Sequence, residues 1–254
     1  MRRIDLNADC GEGFGAYTPG DDAALLRSVS SANIACGFHA GHPSTMARTV
    51  ALAAGLGVAL GAHPGLPDLV GFGRRRMAVT PAEVRDLVTY QIGALAGFAA
   101  RYAQKLRHVK PHGALYWMAE EDPNLAEAIA QAVLEWDAAL VLVGLSGGGL
   151  VQAGQARGLQ TAAEIFADRA YLPDGTLAPR TVPDAVLHDM GEVAARLTLW
   201  AREGTLTATD GTALRLDADT ICIHSDSPSA PALATCVRQA LEAAGYTVQP
   251  MSGL

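Results

Sequence analysis

Five times along this chain, a short apolar segment stops at a group of polar and ionisable side chains. The apolar segments cover residues 4–6, 32–36, 58–60, 109 and 221–223. Segments of this kind are typical of buried parallel strands, which restricts the fold to the α/β class. The polar side chains that follow lie where α/β folds place their chemistry, at the carboxyl ends of the strands. A structural protein has little use for such a repetition, so the pattern indicates an enzyme.

The composition favours a large core and excludes several classes of partner. Hydrophobic residues make up 50% of the 254 residues, and 19 Lys and Arg against 26 Asp and Glu give a formal charge of −7. This balance argues against nucleic-acid binding. The sequence contains no apolar stretch of about 18 residues and no signal-peptide core, so we expect no membrane span and a cytoplasmic location. The four cysteines lack C-x-x-C spacing and are interpreted as buried thiols.

Strand-like and helix-like periods alternate along most of the chain. The pattern predicts helices over residues 21–28, 43–56, 81–105, 123–136, 148–157, 189–203 and 230–243. With about seven intervening strands, residues 1–254 are expected to form one distorted, TIM-like β/α barrel. An open doubly wound sheet is the competing fold, but it would gather the polar clusters at one switch point.

Residues 166–216 interrupt this alternation and are predicted to decorate the barrel. A proline-rich stretch up to residue 183 indicates a long loop, and charged loops of this length are often functional lids. A helix then ends at Gly204. Strand-like alternation on both sides of Asp210-Gly211 favours a hairpin with a type I′ turn.

The first predicted strand carries polar side chains on one face. Asp5, Asn7 and Asp9 alternate with apolar residues, and Glu12 follows on a turn. A barrel interior would not bury such groups unpaired, because each would cost several kcal/mol. We therefore expect them to face a pocket or to pair with Lys110 and the histidines. Asp9 and Glu12 are interpreted as functional, whereas Asp5 remains open between function and a strand-end turn.

His39 and His42 lie on a glycine-rich turn after the second predicted strand. With Asp9 they form an Asp-His-His set of the kind that holds a divalent metal in sugar deacetylases on related barrels. In the alternative interpretation, His39 hydrogen-bonds a neighbouring strand end and His42 only precedes a helix. The metal site remains a hypothesis.

Similar turns follow the next strands. Lys110 is the best candidate to contact an anion or a carbonyl group, and its pKa could be lowered there. His63 and His112 can carry protons near neutral pH. Glu164 is expected to end a strand and could act as a general base, while Asp168 and Arg169 could form an ion pair that only braces the loop.

The stretch Gly144-Leu-Ser146-Gly-Gly148 matches the nucleophile elbow of serine hydrolases. Glu164 or Asp168, followed by His224, would complete a triad in the right order. The alternative is a glycine-rich helix start, which could also bind an anion through its backbone amides. Short patterns of this kind arise by chance in glycine-rich chains, so we do not favour the serine hydrolase.

Six longer motifs, in order, cover almost the whole chain. They are Asp5-Leu-Asn-Ala-Asp9-Cys-Gly-Glu12, Ser31-Ala-Asn-Ile-Ala-Cys-Gly-Phe-His39-Ala-Gly, Gly61-Ala-His-Pro-Gly-Leu-Pro-Asp-Leu-Val-Gly-Phe-Gly-Arg74-Arg75, Val109-Lys-Pro-His-Gly-Ala-Leu-Tyr116, Glu164-Ile-Phe-Ala-Asp-Arg-Ala-Tyr171 and Ile221-Cys-Ile-His224. In these motifs the chain closely resembles the lactam-utilisation family, the A subunits of ATP-dependent bacterial 5-oxoprolinases. That family usually has Asp where this chain has His42, and Gly where it has Ser225.

The resemblance implies a barrel of the glycoside hydrolase/deacetylase type and hydrolysis of 5-oxo-L-proline to L-glutamate, coupled to cleavage of ATP to ADP and phosphate. It implies partner subunits B and C, one of which could hold the ATP because this chain has no Walker A pattern. A divalent metal and a homo-oligomer remain open. The candidate catalytic residues are Asp9, Glu12, His39, His63, Lys110, His112 and Glu164. The candidate substrate-binding residues are Asn7, Arg74, Arg75, Asp168, Arg169, Arg180, His224 and Asp226.

Two alternatives to this function remain. One is a metal-dependent carbohydrate deacetylase-like hydrolase, which would release acetate. The other is a scaffold without catalytic activity, whose partners carry out the chemistry.

Overall fold

A closed barrel of parallel strands forms the centre of the protein. The computed structural model describes residues 2–225 and 227–251. Its strands are β1 (Arg2–Cys10), β2 (Ser31–Ala35), β3 (Ala59–His63), β4 (His108–Val109), β5 (Val141–Leu145), β6 (Gln160–Phe166), β7 (Thr205–Thr207), β8 (Ala213–Arg215), β9 (Thr220–Ile223) and β10 (Tyr246–Val248). Within these described residues, β1 to β6 and β9 pair in sequence order, and β9 pairs with β1 to close a ring of seven. The predicted distorted β/α barrel is therefore confirmed.

Helices follow most of the barrel strands. They are α1 (Asp22–Leu25), α2 (Pro43–Leu56), α3 (Pro81–Ala100), α4 (Gly113–Glu121), α5 (Pro123–Trp136), α6 (Gly149–Ala156), α7 (Met190–Glu203) and α8 (Ala230–Ala243). The predicted bounds of α2, α5 and α8 are confirmed. α3 ends five residues earlier than predicted, before Ala103, whose φ of 52° is left-handed and incompatible with a continuing helix. In the described part of the chain, no helix combines the length and apolar character needed to cross a membrane.

Local capping explains where several helices begin and end. At the start of α3, the Thr80 hydroxyl accepts a bond from the Glu83 backbone N–H at 3.3 Å, and Glu83 accepts one from the Thr80 N–H at 2.7 Å. This is a capping box, which satisfies amides that a helix start leaves unpaired. α2 and α7 end at Gly57 and Gly204, whose φ values of 70° and 72° favour glycine.

One element was absent from the sequence prediction. The strand predicted from the apolar segment at residue 109 spans only His108–Val109, and α4 begins at Gly113, where no helix was predicted. Pro111 has no N–H to donate, although the Lys110 and His112 N–H groups on either side of it still donate to the Ala62 and Pro64 carbonyl oxygens. His112 precedes α4 without a side-chain capping bond, and the usual sequence signal for a helix start is therefore missing.

The hairpin outside the barrel is confirmed, but its turn type is not. β7 and β8 pair antiparallel, with Thr207 opposite Ala213 and five residues between them. A type I′ turn needs positive φ at both central residues. In this loop Gly211 has a φ of 90°, whereas Asp210 does not lie in that region. The predicted type I′ turn is wrong because the loop is longer than two residues.

The two faces of β1 determine where the site lies. Ile4, Leu6 and Ala8 are fully buried in the hydrophobic core. Asp5 and Asn7 point the other way and hydrogen-bond side chains of strands from around the ring. The barrel interior is therefore a polar column, and it leads to the carboxyl ends of the strands.

Candidate active site at the barrel mouth

The lowest polar group of the column is Asp5, which is fully buried. Its carboxylate accepts hydrogen bonds from the Ser30, Ser31 and Thr220 hydroxyls at 2.7, 2.6 and 2.5 Å. Burial raises its pKa to about 6, although these hydroxyl groups partly offset the effect. Of the two interpretations left open for Asp5, the structure favours the structural one.

Two asparagines link the column together above Asp5. Asn7 donates to Glu164 at 3.0 Å and to Thr220 at 2.6 Å. Asn33 donates to the Asn7 carbonyl oxygen at 2.7 Å and to Asp9 at 2.9 Å. Asn7 is fully buried, so its contacts are those of a positioning residue beneath the site rather than of a substrate contact.

Lys110 lies where β4 ends, and its ammonium group is almost completely buried. Its Nζ is 2.8 Å from Glu164 Oε1 and 3.3 Å from Asp9 Oδ1. It also donates to Cys222 Sγ at 3.0 Å. Burial lowers the pKa of Lys110, but Asp9, Cys222 and Glu164 together outweigh burial and hold this pKa well above its usual value. The expectation of a lowered pKa is therefore wrong, because two carboxylates surround the amine.

Asp9 and Glu164 differ in the direction of their pKa shifts. Burial raises the pKa of Asp9, but His63 and Lys110 outweigh burial and hold it well below its usual value. Burial raises the pKa of Glu164, and Lys110 offsets this only in part. Carboxyl groups whose pKa values are pushed apart are typical of acid–base sites. Glu164 lies inside β6 rather than at its end as predicted, because that strand continues to Phe166.

Three histidines and Glu12 form a second group beside Asp9. His39 Nε2 and His112 Nδ1 lie 3.4 and 3.5 Å from Glu12 Oε1. His63 Nε2 lies 3.0 Å from His112 Nδ1 and 3.5 Å from Asp9 Oδ1. Each of the four offers an atom within 4.8 Å of the others, so the group could hold a metal ion. The four come from the ends of successive strands, which is why the barrel brings them together.

His42 does not join this group. It caps the start of α2, where its Nδ1 accepts a hydrogen bond from the Ser44 N–H at 3.3 Å. Its ring packs edge-on against Phe14 at 5.6 Å. Among the described residues, Asp9, His39 and His42 do not lie together as a group that could hold a metal ion, whereas Glu12, His39, His63 and His112 do.

The loop after β6 contributes Asp168 and Arg169, which do not act as the predicted ion pair. Asp168 lies 3.0 Å from His224 Nδ1. Arg169 donates to the Ala178 and Ala185 carbonyls at 2.6 and 3.2 Å, and so it braces the loop through backbone groups. The guanidinium group is thus held by the backbone of the loop, and its predicted role in substrate binding stays a prediction.

The remaining predicted arginines lie around the mouth. Arg75 is exposed and pairs with Asp68, and Arg74 lies over the Phe72 ring at 4.9 Å. The positive charge of Arg180 helps to lower the pKa of Asp168. Their predicted role in substrate binding stays a prediction. The predicted substrate-binding residue Asp226 lies outside the described residues.

Ser146 is not arranged as a nucleophile. Its hydroxyl donates to the Asp217 carbonyl at 2.6 Å, which is not the histidine contact that a serine hydrolase needs. The amides at the start of α6 are also occupied, because the Glu120 carboxylate accepts bonds from Leu145 and Gly149. Neither interpretation of this motif as a binding site is supported.

Several residues of the site were not predicted. Besides Asn33 and Thr220, Cys222 contacts Lys110, and the Tyr116 hydroxyl donates to Glu164 at 3.5 Å. Tyr116 lies on α4, whose existence the sequence did not signal. The others are small or neutral residues inside strands, where their side chains resemble ordinary filling of the barrel.

The fold and this site define the class of protein: a β/α barrel with a buried group of acids, imidazoles and one ammonium at the carboxyl ends of its strands. The chain belongs to the LamB/YcsF family, whose model matches residues 4–254.

Similar proteins cover nearly the full length of the chain. A relative from Methylococcus capsulatus, named as the A subunit of 5-oxoprolinase, is 56% identical over 252 residues, which are 99% of this chain and 97% of the relative. The crystal structure of a lactam utilization protein from Thermus thermophilus has a TM-score of 0.91 at 49% identity, covering 97% of this chain and 99% of that one. A GH113 β-1,4-mannanase has a TM-score of 0.52 at 11% identity over 94% and 99% of the chains, a likeness of fold alone.

Proposed function

We propose that this chain is the A subunit of an ATP-dependent 5-oxoprolinase. The complex would hydrolyse the lactam of 5-oxo-L-proline to L-glutamate while ATP is cleaved to ADP and phosphate. The proposal rests first on the near full-length similarity to relatives named as A subunits of 5-oxoprolinase. The geometric observation that supports it most is the Lys110 ammonium, held between two buried carboxylates at the barrel mouth.

The chemistry suits this arrangement. A five-membered lactam is stabilised by amide resonance, and phosphorylation of its carbonyl oxygen would weaken that resonance. A water molecule then adds to the carbonyl carbon and loses a proton, the ring C–N bond breaks as its nitrogen takes up a proton, and a second water releases the phosphoryl group as phosphate. Asp9 is the base that the geometry favours, since it is ionised at neutral pH and lies near the end of β1. Glu164 is fully buried and already holds Lys110.

Positive charge is the second requirement. Oxyanions and phosphate groups are stabilised by cationic donors that are fixed in place before the reaction. Lys110 supplies one such donor, and Arg74, Arg75 or Arg180 would supply another for the substrate carboxylate or the transferred phosphate. His39, His63 and His112 would carry protons beside Asp9.

ATP is assigned to the complex rather than to this chain. The sequence has no Walker A pattern, so partner subunits B and C are the better candidates for the ATP site. The lactam would then be activated where the subunits meet, and the exposed arginines at the mouth would face a partner.

The test measures glutamate release from 5-oxoproline and ATP by subunits B and C, with and without this chain. The A subunit of one of the relatives serves as the positive control. We expect release only when an A subunit is present. If B and C were active with the relative's protein but not with this chain, the proposal would be refuted.

Variants then test the site. Lys110→Ala and Asp9→Asn should each lower turnover by about 10²-fold or more, as is common when an acid–base or charged group is removed. The matched controls are Lys105→Ala and Asp86→Asn, which change exposed residues of the same types. Unchanged turnover in both site variants would place the chemistry elsewhere.

The deacetylase alternative predicts a different assay result. It requires acetate release from acetylated sugars by this chain alone, without ATP or partner subunits. The same preparations assayed in this way distinguish the two functions. A scaffold role would leave glutamate release intact in all of the site variants.

A further inference from the structure

Glu12, His39, His63 and His112 form a buried group in which the two ring nitrogens of His39 have no hydrogen-bond partner among the described residues. All four side chains are buried, and they follow or end the first four strands of the barrel. They surround one small volume, because one atom from each lies within 4.8 Å of the others. Which of these atoms carry protons and which present lone pairs indicates the kind of ligand that the volume can bind.

The protons of two of the rings are already assigned by their neighbours. His63 Nδ1 lies 2.7 Å from the Lys110 carbonyl oxygen, and His112 Nε2 lies 2.8 Å from the Phe72 carbonyl oxygen. A carbonyl oxygen only accepts hydrogen bonds, so each of these ring nitrogens must carry the proton. In the neutral rings, the other nitrogens therefore present lone pairs to the centre of the group.

When both rings are neutral, these two lone pairs face each other; without an ion, a proton on His63 would separate them, because Asp9 outweighs burial and raises the pKa of His63. His63 Nε2 and His112 Nδ1 are 3.0 Å apart, a distance at which two acceptors repel unless a positive charge lies near both. The Glu12 carboxylate adds negative charge 3.5 Å from His112 Nδ1. Three electron-pair donors therefore converge on one point.

His39 gives an independent indication. Its side chain is fully buried, and neither ring nitrogen has a hydrogen-bond partner among the described residues. Its ring stacks on that of His112 at 3.7 Å, and its Nε2 points toward Glu12 at 3.4 Å. A buried polar group without a partner is unfavourable, and so this ring is available to bind a ligand at the centre of the group.

The ring of His39 is also held rigidly in place. A Cβ atom added at Gly65 would lie 2.5 Å from His39 Nδ1, and one at Gly73 would lie 2.6 Å from His39 Cβ. The backbone therefore closes on the imidazole from two sides. Because the ring is confined before any ligand binds, little freedom remains to be lost on binding.

We propose that Glu12, His39, His63 and His112 bind one divalent transition-metal ion of the zinc class. With bonds of about 2.0–2.1 Å, the ligand atoms of a tetrahedral site lie about 3.3–3.4 Å apart. The three separations of 3.0, 3.4 and 3.5 Å within the group lie on both sides of that value. Three imidazoles and one carboxylate suit zinc or cobalt, whereas magnesium and calcium prefer oxygen ligands.

Surrounding contacts match those of a metal site. The carbonyl groups that accept from His63 and His112 orient the rings, as outer partners of metal-bound histidines do. Ser225 donates to the other oxygen of Glu12 at 3.3 Å.

The ion would act on Asp9 without replacing Lys110. His63 Nε2 lies 3.5 Å from Asp9 Oδ1, so a metal bound to this ring adds positive charge close to that carboxylate. The ion would help to keep Asp9 ionised, with Lys110 contributing as well. Metal binding itself does not depend on the reaction proposed above.

The test titrates chelator-treated protein with Co²⁺, whose visible absorption is strong in tetrahedral sites, and then displaces the Co²⁺ with Zn²⁺. We expect one ion per chain and a rise in unfolding temperature on Zn²⁺ addition. His39→Ala and Glu12→Gln should bind at least about 100-fold more weakly, since losing even an outer partner costs about 10–100-fold. His42→Ala is the matched control, because His42 lies on the same turn but caps α2, and it should bind as the wild type does.

Each outcome is decisive. Glu12→Gln changes the side chain little, so it tests the site even if His39→Ala folds poorly. If the wild type bound no Co²⁺ or Zn²⁺, a proton on His63 would be what separates the two nitrogens, and the proposal would be wrong. Binding that persists in both ligand variants, or that also disappears in His42→Ala, would equally overturn it.

Discussion

Replacing Lys110 with methionine removes the only ammonium group between Asp9 and Glu164 among the described residues and leaves the volume nearly unchanged. The variant isolates an electrostatic effect, because methionine fills the space without charge. In the wild type, Nζ lies 2.8 Å from Glu164 and 3.3 Å from Asp9. At an effective dielectric constant of about 20, each contact corresponds to about 5–6 kcal/mol of gross attraction.

The net loss of stability is smaller, because a carboxyl group can take up a proton instead of staying charged. Glu164 is the group expected to do so, since burial already raises its pKa. Keeping a glutamate protonated at pH 7, when its unfolded pKa is about 4.3, costs about 4 kcal/mol. This agrees with the roughly 3–5 kcal/mol lost when one partner of a buried ion pair is removed. Because protonation becomes easier as pH falls, the loss should shrink to about 1 kcal/mol near pH 5.

The assay is equilibrium urea unfolding of the wild type and Lys110→Met at both pH values, with the exposed Lys105→Met as the matched control. The double variant Lys110→Met/Glu164→Gln removes the uncompensated charge. We expect it to recover most of the lost stability and to lose the pH dependence. A loss below about 1 kcal/mol at pH 7, or a loss that does not change with pH, would refute this account of the site.

Three further predictions concern stability. The pKa of Asp5 is raised from 3.8 to about 6, so its favourable contribution is complete below the unfolded pKa and is lost as pH rises through the folded one. The advantage of the wild type over Asp5→Asn should therefore fall by about 3 kcal/mol between about pH 3 and pH 7, as urea unfolding would show. A constant difference would contradict the shift. In Gly61→Ala the new Cβ would lie 2.0 Å from His108 Nε2, and thermal unfolding should reveal a loss at the upper end of about 1–3 kcal/mol. Its control, Gly55→Ala, meets nothing within 4 Å inside α2 and should stabilise the protein. Thr80→Ala removes the capping box and should cost about 1 kcal/mol in urea unfolding; no change would show that the cap contributes nothing.

Much of the fold could be predicted because it depends on local physical chemistry. Proline at the first turn and glycine past the last one mark α2 without any tertiary information. Short apolar segments identify buried strands in the same way. The strands of the barrel and most helices follow from such signals. Two exceptions are α4, which lacks a side-chain cap at its start, and the turn at Asp210, whose loop is longer than the motif implies.

The residue types of the site could also be predicted, but not their partners. Asp9, Lys110 and Glu164 all belong to the predicted set and all meet in one cluster. The direction of the Lys110 pKa shift could not be foreseen, because it depends on whether burial or the facing carboxylates dominate. That balance depends on distances of a few ångströms between side chains that face one another across the barrel.

The arrangement of the histidines shows what the local sequence could not predict. Spacing along the chain favoured His39 with His42, because the two lie on one turn. In the structure, His42 instead caps the start of α2. His39 lies beside residues that follow or end the first, third and fourth strands. Composition and periodicity were enough to specify a barrel with ionisable residues at its mouth, since these depend on neighbours in sequence. Which side chains face one another was decided only by closure of the ring, which brings together groups more than a hundred residues apart, such as Asp9 and Lys110.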